Sequence, residues 1–260
     1  MFGFGLRKKR ELPPLEAVFV SETGLVCEDN QDNVLVAPHR GVFCVADGMG
    51  GGAEGGKASD VVCRELKMTT HVAEPEFSSL VTAAQNALVD ANYEIVAYAR
   101  ERGFAHMGST AAILVFDPAE RTRAAAIHVG DSRVYRIRRR TADLLTYDHT
   151  VGGQLGELTK GITAAGFKSR TNPLAHVLTR AIGAADKVEG EWKKIDVTDG
   201  DRFLICSDGV HDVVSDARIG SILSRPDDLV SASRRLTDEI VRNGAPDNFS
   251  YVMVGFGGAQ

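Results

Sequence analysis

Short apolar runs bounded by turn residues open the chain. Val18-Phe19-Val20, Val34-Leu35-Val36 and residues 42–46 read as strands. A glycine-rich loop follows at residues 48–56, and beyond it the period changes. Val61, Val62 and Leu66 lie at helical spacing in a helix predicted over about 57–71. Leu80, Ala84, Leu88, Ala91 and Ile95 line one face of a second helix over 77–102. Strands then cluster at 111–116, 124–129 and 134–137. The stretch 150–175 is polar, contains glycine and holds no sustained period, which predicts an exposed inserted segment. Strands resume at 192–197 and 202–206, helices follow at about 217–223 and 228–242, and a last strand covers 249–256. Strands grouped with strands, and helices arriving in pairs, point to an α+β layered domain with mainly antiparallel sheets rather than a regular βαβ alternation.

Bulk composition narrows the function class. A length of 260 residues is ample for a large core. Pro13-Pro14 separates a leader, residues 1–14, from a single domain expected over 15–257. The leader holds Arg7-Lys8-Lys9-Arg10 without the apolar stretch of a signal peptide, so a flexible, solvated basic tail is expected. A formal charge of -5 argues against a nucleic-acid partner. No run of ~18 apolar residues is present, so no membrane span is expected. The four cysteines, Cys27, Cys44, Cys63 and Cys206, form no C-x-x-C pair, a usage that suits a reducing cytoplasm.

Aspartate recurs where strands end. Residues 42–46 run into Asp47-Gly48, 203–206 into Ser207-Asp208-Gly209, and 127–129 into Gly130-Asp131-Ser132-Arg133. Asp247-Asn248 immediately precedes the last strand, and Asp32 stands just before Val34. Any one of these is most simply a turn marker. Several strands that each end in a carboxylate are different, because converging carboxylates repel unless a cation sits among them. Oxygen-only ligands select magnesium or manganese rather than zinc. Two such ions sharing a carboxylate can hold and deprotonate a water suited to in-line attack on a phosphoester. Two rival phosphatase chemistries fail on the residues present. None of the cysteines has an arginine about six positions on, and the Asp-x-Asp at Asp199-Gly200-Asp201 precedes its strand.

The glycine loop has a rival reading of its own. Gly50-Gly51-Gly52-Ala53-Glu54-Gly55 matches G-x-G-x-x-G, the first half of a dinucleotide fingerprint. The second half is missing, because a helix rather than an acid-tipped strand comes next, and Asp47 would face the pyrophosphate. The glycines are read instead as letting the backbone bend so that the Gly48 carbonyl can point at a metal.

Together these segments resemble the metal-dependent type 2C protein phosphatases, in particular their compact bacterial members. The resemblance rests on Asn30-Gln31-Asp32, Val45-Ala46-Asp47-Gly48-Met49-Gly50-Gly51, Gly108-Ser109-Thr110 and Val129-Gly130-Asp131-Ser132-Arg133-Val134-Tyr135. It continues through Leu145-Thr146-Tyr147-Asp148-His149, Leu178-Thr179-Arg180-Ala181-Ile182-Gly183, Cys206-Ser207-Asp208-Gly209 and Asp247-Asn248-Phe249-Ser250, in the family's order. It implies a central antiparallel β-sandwich flanked by pairs of helices, in four layers α-β-β-α, with a metal cleft at one end. Carried over by position, Asp47 would bridge two core ions of Mn2+ or Mg2+, and the Gly48 carbonyl would bind one of them. Asp208 and Asp247 would complete that pair, Asp131 with Asp208 would hold a third, weaker ion, and Asp32 would act through metal-bound water. Residues 150–175 would form a flap beside the cleft, His149 would be structural, and the partners would be phosphorylated proteins met by a monomer. Two positions depart from the pattern. Cys27 stands where relatives commonly place a phosphate-binding arginine, and Met49 where some carry a histidine proposed as general acid. The Cys27 departure keeps an alternative open, a weakly active or silent phosphoprotein-binding regulatory domain.

Overall fold

Every strand predicted above is present in the computed structural model, which describes residues 15–50, 53–158, 176–225 and 227–256. The basic leader and residues 159–175 of the expected flap lie outside the described residues. In chain order the elements are β1 (Leu15–Glu22), β2 (Asp32–Ala37), β3 (Val42–Met49), α1 (Ala53–Val72), α2 (Phe77–Arg102), β4 (Gly108–Ser109), β5 (Ala111–Phe116) and β6 (Arg123–Val129). They continue as β7 (Arg133–Arg138), β8 (Thr141–Leu144), α3 (Val151–Leu158), β9 (Glu191–Asp196), β10 (Arg202–Cys206), α4 (Asp208–His211), α5 (Asp216–Leu223), α6 (Leu229–Arg242) and β11 (Phe249–Phe256).

Two sheets form, ordered β1-β11-β10-β7-β8 and β2-β3-β5-β6-β9, with β4 paired to β3, and neighbouring strands run antiparallel. Alternate residues along each strand face opposite sides, and here both sides are covered. Phe43, Leu114, Phe116, Phe203, Val252 and Val254 fill the space between the sheets. Phe116 lies edge-on to Phe43, with centroids 6.0 Å apart, and to Phe203 at 5.5 Å. On the outer face of one sheet, Cys44, Ile113 and Ile127 pack against Leu66, Leu80 and Ile95 of α1 and α2. On the other, Leu204, Tyr251 and Met253 meet Ile219, Leu236 and Ile240 of α5 and α6. The result is the expected four-layer α-β-β-α arrangement. It explains why central strands read as continuous apolar runs although the sheets are antiparallel.

The structure departs from the sequence reading in five places. Helix α1 begins at Ala53, about one turn before the predicted start, and takes Gly55 into its first turn. A Cβ on Gly55 would lie 1.8 Å from the Gln31 Oε1, and one on Gly48 would lie 1.9 Å from the Gly55 carbonyl oxygen. The glycines therefore serve a close crossing of α1 over β3, besides any bend. The segment 150–175, expected to be an exposed insert without regular structure, opens with helix α3, and Thr150 and Gly152 are buried. The short strands β4 and β8 and the one-turn helix α4 have no counterpart in the sequence pattern.

Register gathers the aspartate-bearing ends. Asp32 and Asp47 are cross-strand partners on β2 and β3. Cys206 pairs with Arg133 on one side and Tyr251 on the other, so Asp131, Asp208 and Asp247 emerge at one end of their sheet.

Candidate active site

Asp47 enters the site with its backbone fixed. Its N–H donates to Thr110 Oγ1 at 3.1 Å, and its carbonyl accepts from the Thr110 N–H at 2.8 Å and the Ser109 hydroxyl at 3.0 Å. The Gly-Ser-Thr segment is thus a clamp on the β3 terminus, and Thr110 Oγ1 in turn lies 2.7 Å from Ser132 Oγ beside Asp131. The Gly48 N–H donates to the Gln31 carbonyl at 3.2 Å, tying the same strand end to the turn before Asp32.

Asp32 is buried, and the Ser207 hydroxyl donates to its Oδ2 at 2.8 Å while Oδ1 has no hydrogen-bond partner among the described residues. Ser207 also accepts from the Ser250 N–H at 3.0 Å, so one hydroxyl joins β2, β10 and β11. Asp208 opens α4, and His211 Nε2, one turn later, lies 3.1 Å from the Asp131 carbonyl oxygen. Asp247 is held by its neighbour. Asn248 accepts from the Gln31 N–H at 2.9 Å and donates to the Thr23 and Asp29 carbonyls at 2.8 and 2.9 Å.

Cys27 lies in the loop so fixed, with its Sγ 3.4 Å from Asp247 Oδ1 and 3.9 Å from the Pro246 carbonyl oxygen. Burial, then the hydrogen bond and charge of Asp247, push the thiol above its ordinary range. A thiol held protonated is a poor nucleophile and a poor redox sensor, so this environment argues against an oxidation switch at Cys27. Met49 ends β3, half-buried.

The carboxylates raise one another's proton affinity. Burial first, then the charges of Asp208, Asp32 and Asp131, push Asp47 well up. Asp131 is raised by burial and by Asp208 and Asp148, and Asp208 by burial and by Asp212 and Asp247. Asp32 reaches about 7, chiefly through burial, against the hydrogen bonds of Ser207 and Ser250. Such a group is costly without positive charge. An all-oxygen donor set, mutually repelling carboxylates and an unpartnered buried Asp32 oxygen fit hard divalent cations.

A different trio, His128, His149 and Glu191, also offers three ligand atoms within 4.8 Å of one another. The imidazoles, however, are stacked with centroids 4.5 Å apart at 22°, so their ring planes do not converge on one ion. His149 Nδ1 accepts from the Gly130 N–H at 3.1 Å, its Nε2 faces Glu191 Oε2 at 3.2 Å, and His128 Nε2 lies 2.6 Å from the Tyr147 carbonyl oxygen. Burial lowers both histidines, keeping them neutral. This trio is a structural brace. The His149 N–H also donates to the Gly130 carbonyl at 3.0 Å, so this residue grips the glycine before Asp131 through ring and backbone together.

Ser207 and Asn248 lie within the motifs Cys206-Ser207-Asp208-Gly209 and Asp247-Asn248-Phe249-Ser250, which assign them no role. Their positions beside strand-end aspartates were the available signal. His211 and Asp212 carried none beyond following Asp208-Gly209.

A sandwich of this topology with carboxylates gathered at one end defines a class, and residues 20–248 match the protein phosphatase 2C family. The chain belongs to that family. It is 31% identical over 238 residues to the serine/threonine protein phosphatase PstP of Mycobacterium tuberculosis, covering 90% of this chain and 43% of that protein. The chain thus spans less than half the length of PstP. It is 30% identical over 251 residues to the serine/threonine phosphatase stp of Listeria innocua, covering 92% of this chain and 95% of that one. The solved catalytic domain of PstP in complex with two manganese ions superposes with a TM-score of 0.79 at 29% identity, over 95% of this chain and all of that one. Among the described residues no helix is long and apolar enough to cross a membrane.

Proposed function

We propose that this protein hydrolyses phosphoserine and phosphothreonine in other proteins, using divalent cations held at the carboxylate end of the sandwich. The observation that carries the reading is the convergence of Asp32, Asp47, Asp131 and Asp208 with mutually raised proton affinities, beside Asp247. Asp47, the Gly48 carbonyl, Asp208 and Asp247 would hold two core ions, manganese or magnesium, and Asp131 with Asp208 would hold a third. When bound, the ions supply positive charge for the phosphoryl oxygens and an activated water for in-line attack on phosphorus. The chain's own work is positioning. Ser109 and Thr110 fix the Asp47 backbone, Ser207 orients Asp32, Asn248 holds the turn before Asp32 against Asp247, and His149 grips Gly130 ahead of Asp131. Asp32 Oδ1, without a partner among the described residues, is placed to accept a hydrogen bond from a water in the site. Residues 15–257 act as one catalytic domain with 150–175 as the flap. The protein works as a monomer on phosphorylated proteins in the cytoplasm, a setting in keeping with four free cysteines.

Hydrolysis of a phosphothreonine peptide with manganese, with magnesium and with excess chelator tests this reading. Chelator-sensitive phosphate release is expected, with Asp208→Asn and Asp247→Asn folded but inactive. Wild-type turnover in both variants would show that the carboxylate site is misassigned. Metal binding without any turnover would favour the phosphoprotein-binding alternative.

A further inference from the structure

Beside the carboxylate end, where α2 gives way to β4, lies a pocket of about 310 Å³ whose walls include Met49, Val96, Ala99, Phe104, Met107 and Ala184. Its floor is apolar. Ala99 and Met107 are buried, whereas Val96, Phe104 and Met49 keep part of their surface in water.

The walls are built, not draped. Asn92, itself buried, donates to the Ala185 carbonyl at 3.0 Å and accepts from the Gly183 N–H at 2.7 Å, so both ends of one amide pin the 183–185 loop to α2. Arg100 closes the rim on Asp186 at 2.7 Å. Gly183 adopts a left-handed φ of +91°, and a Cβ there would meet Ile95 Cγ2 at 2.4 Å. A side chain at that position would push the loop off α2.

We propose that this pocket receives an apolar side chain of the substrate protein, two or three residues from the phosphorylated residue. The proposal rests on the phosphatase reading above. Continuity with the carboxylate centre identifies the occupant. Met49, in the pocket wall, is two residues beyond Asp47 on β3, and a strand advances roughly 3.3 Å per residue. An extended peptide with its phosphate at the carboxylates therefore reaches the pocket after two or three residues. The buried Ala99 and Met107 at the floor suit an aliphatic or aromatic side chain, while Arg100, Asp186 and His106 keep the rim polar and in water.

The test compares phosphothreonine peptides carrying Leu or Asp at the second and third positions on either side, with p-nitrophenyl phosphate as a substrate too small to reach the pocket. The wild-type protein should favour one Leu peptide about tenfold or more in kcat/KM, the scale of burying one such side chain. Ala105→Trp and Ala184→Trp, both at exposed wall positions, should erase that preference and leave p-nitrophenyl phosphate hydrolysis within about twofold of wild type. Equal rates for Leu and Asp peptides, or a preference that survives both fillings, would overturn the subsite. An equal loss on p-nitrophenyl phosphate would overturn it too, assigning this surface to the integrity of the centre. A change of sedimentation on filling would give the pocket to a second copy of this chain. Failure of wild-type protein to cleave p-nitrophenyl phosphate with manganese would refute the phosphatase reading and the subsite with it.

Discussion

Asp32 sits in a buried space with one oxygen unpartnered, and its carboxyl is pushed from 3.8 to about 7. Above that pH the metal-free fold holds a carboxylate that the unfolded chain would place in water. Because the folded value is the higher one, stability is fully present below about pH 4 and is lost as pH rises through 7. A shift of that size corresponds to roughly 4 kcal/mol, at about 1.4 kcal/mol per unit. Asp32→Asn keeps the shape, still accepts the Ser207 hydroxyl bond, and removes the charge. In excess chelator the variant should match wild type near pH 4, gain about 1.4 kcal/mol per pH unit, and level off above pH 7 at about 4 kcal/mol. Urea unfolding from pH 4 to 8 measures this. Saturating manganese should reverse the order, since cations stabilise the carboxylate they neighbour. A chelated variant no more stable than wild type at pH 8, or a gain equal at pH 4 and 8, would refute the account of a site strained by its own charge.

Other outcomes follow from the same geometry. His149→Ala removes the acceptor for the Gly130 N–H and the contact with Glu191, and should cost about 2–3 kcal/mol in urea unfolding while weakening manganese binding. His128 and His149 have folded-state values below those of the unfolded chain, so their penalty is absent above about pH 6.5 and grows as pH falls through it. In saturating manganese, a His128→Gln variant should lose less stability than wild type between pH 7 and 5, as unfolding curves would show. Cys27→Arg places a guanidinium beside Asp247 and should raise kcat/KM on a small phosphoester about tenfold to a hundredfold, the worth of a charge-assisted hydrogen bond. No gain would mean that phosphate is held adequately without it. Phe116→Ala opens the space between the sheets and should cost about 3–5 kcal/mol, read as a lowered urea midpoint.

The layered fold was legible because both faces of each central strand are covered, which leaves uninterrupted apolar runs such as 111–116 and 249–256. The strand-end aspartates were legible for a related reason, since a charge at the end of such a run stands out. What escaped the sequence lacked a period. Strand β8 is the four residues Thr141–Leu144 on a sheet edge, and α4 is a single turn. The start of α1 was hidden because glycine weakens helices, yet Gly55 is tolerated where only a hydrogen lets α1 cross β3. The hydrogen bonds of Ser207 and Asn248 link positions more than 170 residues apart, beyond the reach of any local pattern.

That last property governs when the centre can exist. Asn248 and Asp247 stand at the head of β11, which lies between β1 and β10 in its sheet and sends Val252 and Val254 between the layers. A chain still being synthesised, with everything before β11 already made, has neither the clamp on the turn before Asp32 nor the Asp247 carboxylate. Its first strand, β1, has no partner on the β11 side and cannot close the sheet. The complete carboxylate set therefore arrives together with the finished sandwich, at the end of the slow long-range pairing. A half-made copy lacks one of the five gathered carboxylates and the clamp beside it.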